Sequence, residues 1–311
     1  MSIRDGQSHY EVSAFTRELI DEVARDHYSL RAWQSLLSRS LARSLEDISK
    51  SPARTRSFWS WVAIVAATGA AIILLAARLQ TPERALTALV VWLPWYAGAV
   101  FFLLTHLGMV DDSHGIPHRS LLLPNGLSFF RLALAPLVLW PCLQVPVYPA
   151  AGLVFALFLA GLALSDLLDG WLARRQKLDT RMGRMLDFLA DVALLTFLAV
   201  GLYLASVIPG PLLLLLVVRY PVLLFAMLVM YFARISAPLL TAFIGRATTF
   251  ATSVVLLVIA FKTLLLASWP TPLTIEWSIR FLYVLLGVNI LYLINQAVAH
   301  AVKLPDPFGK S

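Results

Sequence analysis

The stretch that decides the fold is DLLDGWLARRQKLDTRMGRMLDFLAD, which runs from Asp166 to Asp191. It joins the end of one long apolar segment to the start of another. It reads D-x-x-D-G-x-x-A-R, eight further residues, and then G-x-x-x-D-x-x-x-D. Residues three or four apart lie on one face of a helix. We therefore predict that Asp166 and Asp169 point together from one helix, and that Asp187 and Asp191 point together from the next.

Four carboxylates in this arrangement predict a site for metal-dependent phosphoryl transfer. Carboxylates that face one another repel strongly unless cations lie between them. Ligands that offer only oxygen suit Mg²⁺, Mn²⁺ or Ca²⁺ rather than zinc or copper. Mg²⁺ held by carboxylates usually shares its coordination with substrate phosphates. Gly170, next to the first aspartate pair, leaves room for a close approach to the backbone.

The composition places the chain in a membrane. Of its 311 residues, 59% are hydrophobic and only 14% are charged, and its apolar runs of about 20 residues have the length of transmembrane helices. The single cysteine, Cys142, excludes an internal disulfide. The basic residues are spread over short loops without a nucleic-acid-binding motif, so we expect membrane lipids as partners and no nucleic acid.

The sequence contains eight apolar spans, which predict an all-α integral membrane protein. We divide the chain into four parts. We predict a cytoplasmic amphipathic helical extension over residues 1–56 and a two-helix transmembrane extension over 57–110. A juxtamembrane linker follows over 111–126, and a six-helix core occupies 127–303. The predicted spans are approximately Phe58–Ala77, Leu86–Leu107, Leu127–Leu143, Ala150–Leu172, Arg181–Leu204, Pro211–Phe232, Ala247–Leu266 and Ile279–Val302.

The first 110 residues carry no catalytic motif. Apolar residues recur at three- and four-residue steps from Ile20 to Ile48, which predicts an amphipathic helix that packs locally. A partner-binding arm and a membrane-lying helix are the alternatives. We interpret the first two spans as scaffold or dimer contact and expect a homodimer. Four tryptophans lie near the ends of these spans, as interface anchors do: Trp59, Trp61, Trp92 and Trp95.

The distribution of Lys and Arg predicts the orientation. Of the 25 basic residues, 19 fall on the side of the N-terminus when the predicted spans are threaded, and four fall on the opposite side. Short loops rich in Lys and Arg stay in the cytoplasm. We therefore expect the carboxylate cluster and both termini on the cytoplasmic side of a bacterial-type inner membrane.

The aspartate stretch resembles the signature of the CDP-alcohol phosphotransferase family, which consists of integral membrane enzymes of phospholipid synthesis. All eight specified residues match with the spacing intact: Asp166, Asp169, Gly170, Ala173, Arg174, Gly183, Asp187 and Asp191. A second, weaker similarity lies upstream. The run from Pro124 to Arg131 resembles the family pattern Pro-Asn-x-Leu-Thr-x-x-Arg, with Ser128 in place of Thr.

This resemblance implies transfer of a substituted phosphate group from a CDP-alcohol, typically CDP-diacylglycerol, to a small acceptor alcohol, with release of CMP. It implies two Mg²⁺ or Mn²⁺ ions on the four aspartates. Asp191 is the predicted general base, which takes the proton of the acceptor hydroxyl. The residues implied in nucleotide and phosphate binding are Gly170, Ala173, Arg174, Gly183, Asn125 and Ser128.

Three arginines near the predicted inner face and one in the middle of a span, Arg219, are candidates for binding an acceptor that itself carries phosphate. They are Arg131, Arg219, Arg234 and Arg246. Two features resemble phosphatidylglycerophosphate synthase-like members of the family: an Arg in the fourth core helix, here Arg219, and a Gly-Lys-x-x-Thr run before the fifth, here Gly245-Arg246-Ala-Thr248 with Arg in place of Lys. Two departures weaken an assignment to glycerol-3-phosphate, because Tyr220 stands where those members usually have an acid and Val192 where many have Lys. The alternative is that these arginines contact lipid phosphates.

Two other functions compete with this prediction. One is transfer from CDP-choline or CDP-ethanolamine to diacylglycerol, but the run from Phe188 to Asp191 does not resemble the His-Gly-Cys-Asp form of that branch. The other is an ion-coupled transporter or a structural membrane protein. Transport predicts polar residues through the bilayer thickness, whereas the acids here cluster at one predicted face. The pattern therefore favours an enzyme.

Overall fold

The computed structural model describes residues 22–23, 25–26, 29–79, 82–107, 121–139, 149–176, 180–219, 239–265 and 272–303. Among these residues there are helices and no strands. In chain order the helices are α1 Leu30–Lys50, α2 Pro52–Leu79, α3 Pro82–His106, α4 Leu123–Leu134, α5 Pro149–Gln176, α6 Arg181–Leu204, α7 Gly210–Arg219, α8 Leu239–Leu265 and α9 Pro272–Lys303. A 3₁₀ turn over Ala135–Val138 directly extends α4.

The predicted all-α membrane fold is confirmed. Four described helical segments are long and apolar enough to cross a membrane: Pro52–Leu75, Ala85–His106, Met182–Leu204 and Ile275–Tyr292. Three shorter apolar segments coincide with other predicted spans: Leu123–Val138, Gly210–Arg219 and Ala247–Lys262. The number of eight transmembrane helices and the four-part division of the chain stay predictions.

Proline marks the first residue of four helices: Pro52, Pro82, Pro149 and Pro272. The first helical position lacks an intrahelical partner for its N–H, so proline loses nothing there and its fixed φ suits the helix. Several helices therefore begin before the apolar spans that the sequence predicts. For example, α2 begins at Pro52, whereas the predicted span begins at Phe58.

The chain divides into two compact units. The first comprises Met1–Trp140 and Leu157–Leu194, and the second comprises Pro141–Ala156 and Leu195–Ser311. In the first unit, α4 and its 3₁₀ extension form the core. Nearly all their side chains are buried, including Phe129, which has no exposed surface. Helices α2 and α3 pack against α4, so the segment that carries the second sequence motif lies at the centre of this unit.

Two tryptophans of α3 complete the backbone hydrogen bonding of α4. Pro136 has no N–H, so the Leu132 carbonyl lacks its normal helical donor. The indole Nε1 of Trp95 donates to that carbonyl at 2.7 Å, and Nε1 of Trp92 donates to the next one, on Ala133, at 3.0 Å. Trp92 is only 4% exposed. The prediction that Trp92 is a membrane-interface anchor is therefore wrong, because its indole is a buried donor between helices.

Close contact between α2 and α3 depends on a small residue. A Cβ atom at Gly69 would overlap the indole ring of Trp92. The absence of a side chain at this position lets the two helices approach, as small residues do at helix contacts in membranes.

Helix α1 packs on the end of α3. The hydroxyls of Ser40 and Ser44 donate to the Thr105 carbonyl at 2.8 and 3.2 Å. This carbonyl lies in the last turn of α3, where carbonyls lack intrahelical donors. Leu37 and Leu45 are exposed on α1, and the role of the extension stays a prediction. Residues 1–21 of the predicted extension lie outside the described residues.

The second unit contains a polar layer within an apolar core. Leu256 of α8 and Leu286 of α9 are fully buried. In the same unit, Nη2 of Arg219 donates to Thr249 Oγ1 at 3.1 Å and to the Gly245 carbonyl at 3.4 Å. Asn289 Nδ2 donates to Thr248 Oγ1 at 3.1 Å. The acceptor-binding candidate Arg219 is therefore buried in this unit and held by the beginning of α8.

Candidate active site

The four motif aspartates meet around one arginine in the first unit. Asp166 and Asp169 project from α5, and Asp187 and Asp191 project from α6. The guanidinium of Arg131, on α4, contacts all four. Its Nη2 lies 2.8 Å from Asp169 Oδ2 and 2.5 Å from Asp187 Oδ1. Its Nη1 lies 3.2 Å from Asp191 Oδ1 and also donates to Asp166 Oδ1.

The arginine and the aspartates differ sharply in burial. The side chain of Arg131 is 1% exposed and that of Asp169 is 6% exposed. The side chains of Asp166, Asp187 and Asp191 are 47%, 50% and 37% exposed. The guanidinium thus approaches the cluster from inside the protein, and three carboxylates remain accessible from the other side. An accessible carboxylate can exchange solvent for a cation or a substrate without unfolding of the site.

Three polar residues of α4 form a stripe that faces the motif helices. Asn125, Ser128 and Arg131 are spaced by three residues, which places them along one face, and all three are buried. Ser128 Oγ donates to Asp169 Oδ2 at 2.9 Å. Because a buried carboxylate needs hydrogen bonds to offset its desolvation, Ser128 and Arg131 together hold Asp169 in place.

Asn125 meets the start of α6 through a residue that the sequence analysis did not single out. Thr180 precedes α6 as its N-cap, and its Oγ1 accepts the N–H of Gly183 at 2.9 Å. The same hydroxyl donates to Asn125 Oδ1 at 3.1 Å. Thr180 is 1% exposed and Asn125 is 1% exposed. A Thr just before an apolar helical run is an N-cap signal that the sequence contains.

The signature glycine of α6 makes this contact possible. A Cβ atom at Gly183 would lie 2.5 Å from Asn125 Oδ1 and 2.9 Å from Thr180 Oγ1. Real Cβ atoms do not approach so closely, so any larger residue would displace the Asn125–Thr180 pair. Gly183 therefore allows α4 to approach the first turn of α6, four residues before Asp187.

The carboxylate cluster fits a divalent cation. One carboxylate oxygen from each of Asp166, Asp169 and Asp187 lies within 4.8 Å of the others. An all-oxygen donor set of this kind suits a hard cation such as Mg²⁺ or Mn²⁺. Asp191 is not in this three-residue group, although it shares Arg131 with it. Asp191 therefore lies beside the three potential metal ligands, on the same guanidinium.

The remaining predicted site residues are distributed as follows. Gly170 lies on α5 directly after Asp169. The side chains of Ala173, Arg174 and Arg246 and all of Arg234 lie outside the described residues. Arg131, predicted as an acceptor-binding residue, contacts the four aspartates. Its acceptor role stays a prediction, as do the individual roles of the other site residues.

Comparison with known proteins identifies the family. A family model described as CDP-alcohol phosphatidyltransferase matches residues 121–291. The chain belongs to this family. The matched region begins just before α4 and ends within α9, so it contains Arg131, the four aspartates and Arg219. The family predicted from the aspartate signature is confirmed, and with it the assignment to transferases that are integral membrane proteins.

Similar proteins carry two kinds of name. A CDP-diacylglycerol–glycerol-3-phosphate 3-phosphatidyltransferase of Aquifex aeolicus is 48% identical over 68 residues, which are 22% of this chain and 35% of that protein. A cardiolipin synthase (CMP-forming) of Streptomyces coelicolor is 36% identical over 159 residues, which are 51% of this chain and 71% of that protein. The human cardiolipin synthase (CMP-forming) is 37% identical over 117 residues, 37% of each chain. The match therefore spans about a third of the first and third relatives. No solved structure gives a significant match.

Proposed function

We propose that this protein transfers a phosphatidyl group from CDP-diacylglycerol to an acceptor alcohol and releases CMP. The observation that carries the proposal is the convergence of all four signature aspartates on one cluster. The two aspartate pairs lie on different helices, near the end of α5 and near the start of α6, and all four carboxylates contact the guanidinium of Arg131. The family match and the names of the relatives support CDP-diacylglycerol as the donor.

In the proposed reaction, the acceptor hydroxyl attacks the phosphorus that carries the diacylglycerol. The bond from this phosphorus to the bridging oxygen breaks, and CMP leaves with that oxygen. Divalent cations held by Asp166, Asp169 and Asp187 would neutralise the pyrophosphate charge and activate the reacting phosphorus. We assign the proton of the acceptor hydroxyl to the carboxylate of Asp191, which is 37% exposed and lies beside the three proposed metal ligands.

The first turn of α6 is the proposed boundary of the nucleotide pocket. Asn125 Nδ2 is buried and has no hydrogen-bond partner among the described residues. A buried donor without a partner costs free energy unless a ligand or water satisfies it. This donor is therefore a candidate contact for the nucleotide or a phosphate, as the family resemblance implies for Asn125.

For the acceptor, we propose an alcohol that contains a glycerol phosphate unit. The relatives are named for glycerol-3-phosphate as acceptor or for cardiolipin as product, and both names share a glycerol next to phosphate. Arg219 is the candidate for contact with that phosphate, because a buried guanidinium beside the Thr249 hydroxyl is suited to an anion. We propose a site that opens to the cytoplasm of an inner membrane, where nucleotides are present.

The test is CMP release by the purified protein with CDP-diacylglycerol and either Mg²⁺ or Mn²⁺. The acceptors are glycerol-3-phosphate and phosphatidylglycerol, with serine and inositol as negative acceptors. We expect metal-dependent CMP release with one of the two glycerol compounds, and the responding compound shows whether the acceptor is free or lipid-linked. Absence of release with all four, in protein that still binds CDP-diacylglycerol, would contradict the proposed acceptor.

Single-residue variants test the roles of the aspartates. Asp191→Asn should lower kcat about 100-fold or more while CDP-diacylglycerol and Mn²⁺ still bind. Asp187→Asn should weaken Mn²⁺ binding and turnover together. The matched control is Glu276→Gln, which removes an exposed acid of α9 that pairs with Arg280. Normal turnover by Asp191→Asn would refute its assignment as general base.

A further inference from the structure

The four terminal N–H groups of the Arg131 guanidinium equal in number the four carboxylates that it contacts. A guanidinium has two N–H groups on each Nη atom and one on Nε. Nη1 contacts Asp166 and Asp191, and Nη2 contacts Asp169 and Asp187. Each terminal N–H therefore has a carboxylate available to it. Nε is buried and has no hydrogen-bond partner among the described residues. The hydrogen bonds described for this side chain all go to the four aspartates.

The charges explain why such a cation is needed. Four carboxylates within contact of one group repel one another, and this repulsion is strong where water is partly excluded. The guanidinium neutralises only one of the four charges, so the cluster remains anionic and still attracts divalent ions. A divalent ion at Asp166, Asp169 and Asp187 would be repelled by the same guanidinium, since both are positive and would contact the same carboxylate groups.

The backbone of Arg131 is well suited to hold the guanidinium at a fixed place. Its neighbours Leu132, Ala133 and Leu134 are buried. Trp95 and Trp92 donate to the carbonyls of Leu132 and Ala133 directly after it. The backbone therefore presents the planar guanidinium to the cluster from a fixed position.

We propose that Arg131 is a resident cation of this site. It draws the four carboxylates together when no divalent ion is bound, and it competes with such ions for Asp166 and Asp187. Arg131 is then a positioning residue that lowers metal affinity and stabilises the metal-free fold. This proposal rests on the metal site of the proposed function, and its test separates the two.

The experiment compares wild-type protein with Arg131→Gln and Arg131→Lys, all purified with Mg²⁺ and then stripped with a chelator. Free Mn²⁺ is measured by electron paramagnetic resonance, which reports binding without turnover, and thermal unfolding is followed with and without Mn²⁺. For Arg131→Gln we expect Mn²⁺ binding about tenfold tighter or more, because the competing charge is gone. We also expect a lower unfolding temperature without Mn²⁺ and a larger rise when Mn²⁺ is added than in wild type.

Arg131→Lys keeps the charge, but three donors on a single nitrogen cannot contact four carboxylates. It should bind Mn²⁺ within about threefold of wild type, as expected for the same charge, and unfold at a lower temperature when metal-free. The control is Arg280→Gln, which removes an exposed guanidinium of α9 that pairs with Glu276. Its Mn²⁺ affinity should equal that of wild type.

The outcomes are distinguishable. If wild type binds Mn²⁺ and Arg131→Gln binds it equally or more weakly, the proposal that Arg131 is a resident cation is overturned, whereas the proposed metal site is not. Absence of Mn²⁺ binding in both proteins overturns the metal site itself. If Arg131→Gln does not fold, Arg131→Lys provides the test. A metal-free Arg131→Lys protein as stable as metal-free wild type would overturn the claim that Arg131 holds four carboxylates together.

Discussion

The contact between Thr180, Asn125 and Gly183 leads to a prediction about both stability and catalysis. Replacing Thr180 with Ala removes one hydroxyl that makes two hydrogen bonds, one from Gly183 N–H and one to Asn125 Oδ1. Loss of an N-cap side chain costs about 1 kcal/mol. The Asn125 carbonyl, 1% exposed, is then left without its donor, which costs roughly a further 1–3 kcal/mol. We expect a total loss of about 2–4 kcal/mol.

The same substitution should lower turnover, because Thr180 sets the start of the helix that carries Asp187 and Asp191. The assay is unfolding of the purified protein by SDS titration in mixed micelles, together with CMP release at saturating CDP-diacylglycerol. The matched control is Thr180→Ser, which retains the hydroxyl and both hydrogen bonds and removes only a methyl group. The serine variant should lose less than about 1.5 kcal/mol, in line with deletion of one buried methyl group, and should keep its kcat.

The reasoning is refuted if Thr180→Ala and Thr180→Ser unfold at the same SDS concentration. A second check uses Asn125→Ala. If the pair interacts as the distances indicate, the double variant should lose less stability than the sum of the two single losses, because both single changes break the same hydrogen bond. Strict additivity would show that Thr180 and Asn125 act independently.

Three further predictions address other parts of the molecule. Trp95→Phe should lower the free energy of unfolding by about 1–3 kcal/mol, because the Leu132 carbonyl loses its donor; Trp59→Phe, at a 58% exposed site, should have little effect in SDS titration. Ser206→Gly should stabilise by about 1 kcal/mol, since Ser206 has a φ of 60°, and a decrease in stability would contradict this. Arg219→Gln should raise KM for the acceptor more than KM for CDP-diacylglycerol in steady-state kinetics; equal changes would count against a phosphate contact.

Much of the site was predictable because it depends on local geometry. Asp166 and Asp169 share a face of α5, and Asp187 and Asp191 share a face of α6, simply because of the helical repeat. The membrane fold followed from the lengths of the apolar runs. The stripe of Asn125, Ser128 and Arg131 also had a sequence signal, since these polar residues recur every three positions in an otherwise apolar segment.

Other features depended on which helix faces meet. Sequence patterns assigned Arg131 to acceptor binding with Arg219, yet its guanidinium contacts the four aspartates. Trp92 was predicted at the membrane interface, yet its indole donates a hydrogen bond to the Ala133 carbonyl of α4. Neither contact follows from local propensity, because each joins residues more than 30 positions apart in the chain.

The sequence by itself thus determined the family, the helical membrane architecture and the two aspartate pairs, because hydropathy and helical periodicity act within one segment. Only the tertiary structure decided that both pairs converge on Arg131, and that Gly183 allows Asn125 to reach the cap of α6. These contacts arise where α4, α5 and α6 pack together, and the packing depends on the combined shapes of side chains from all three helices.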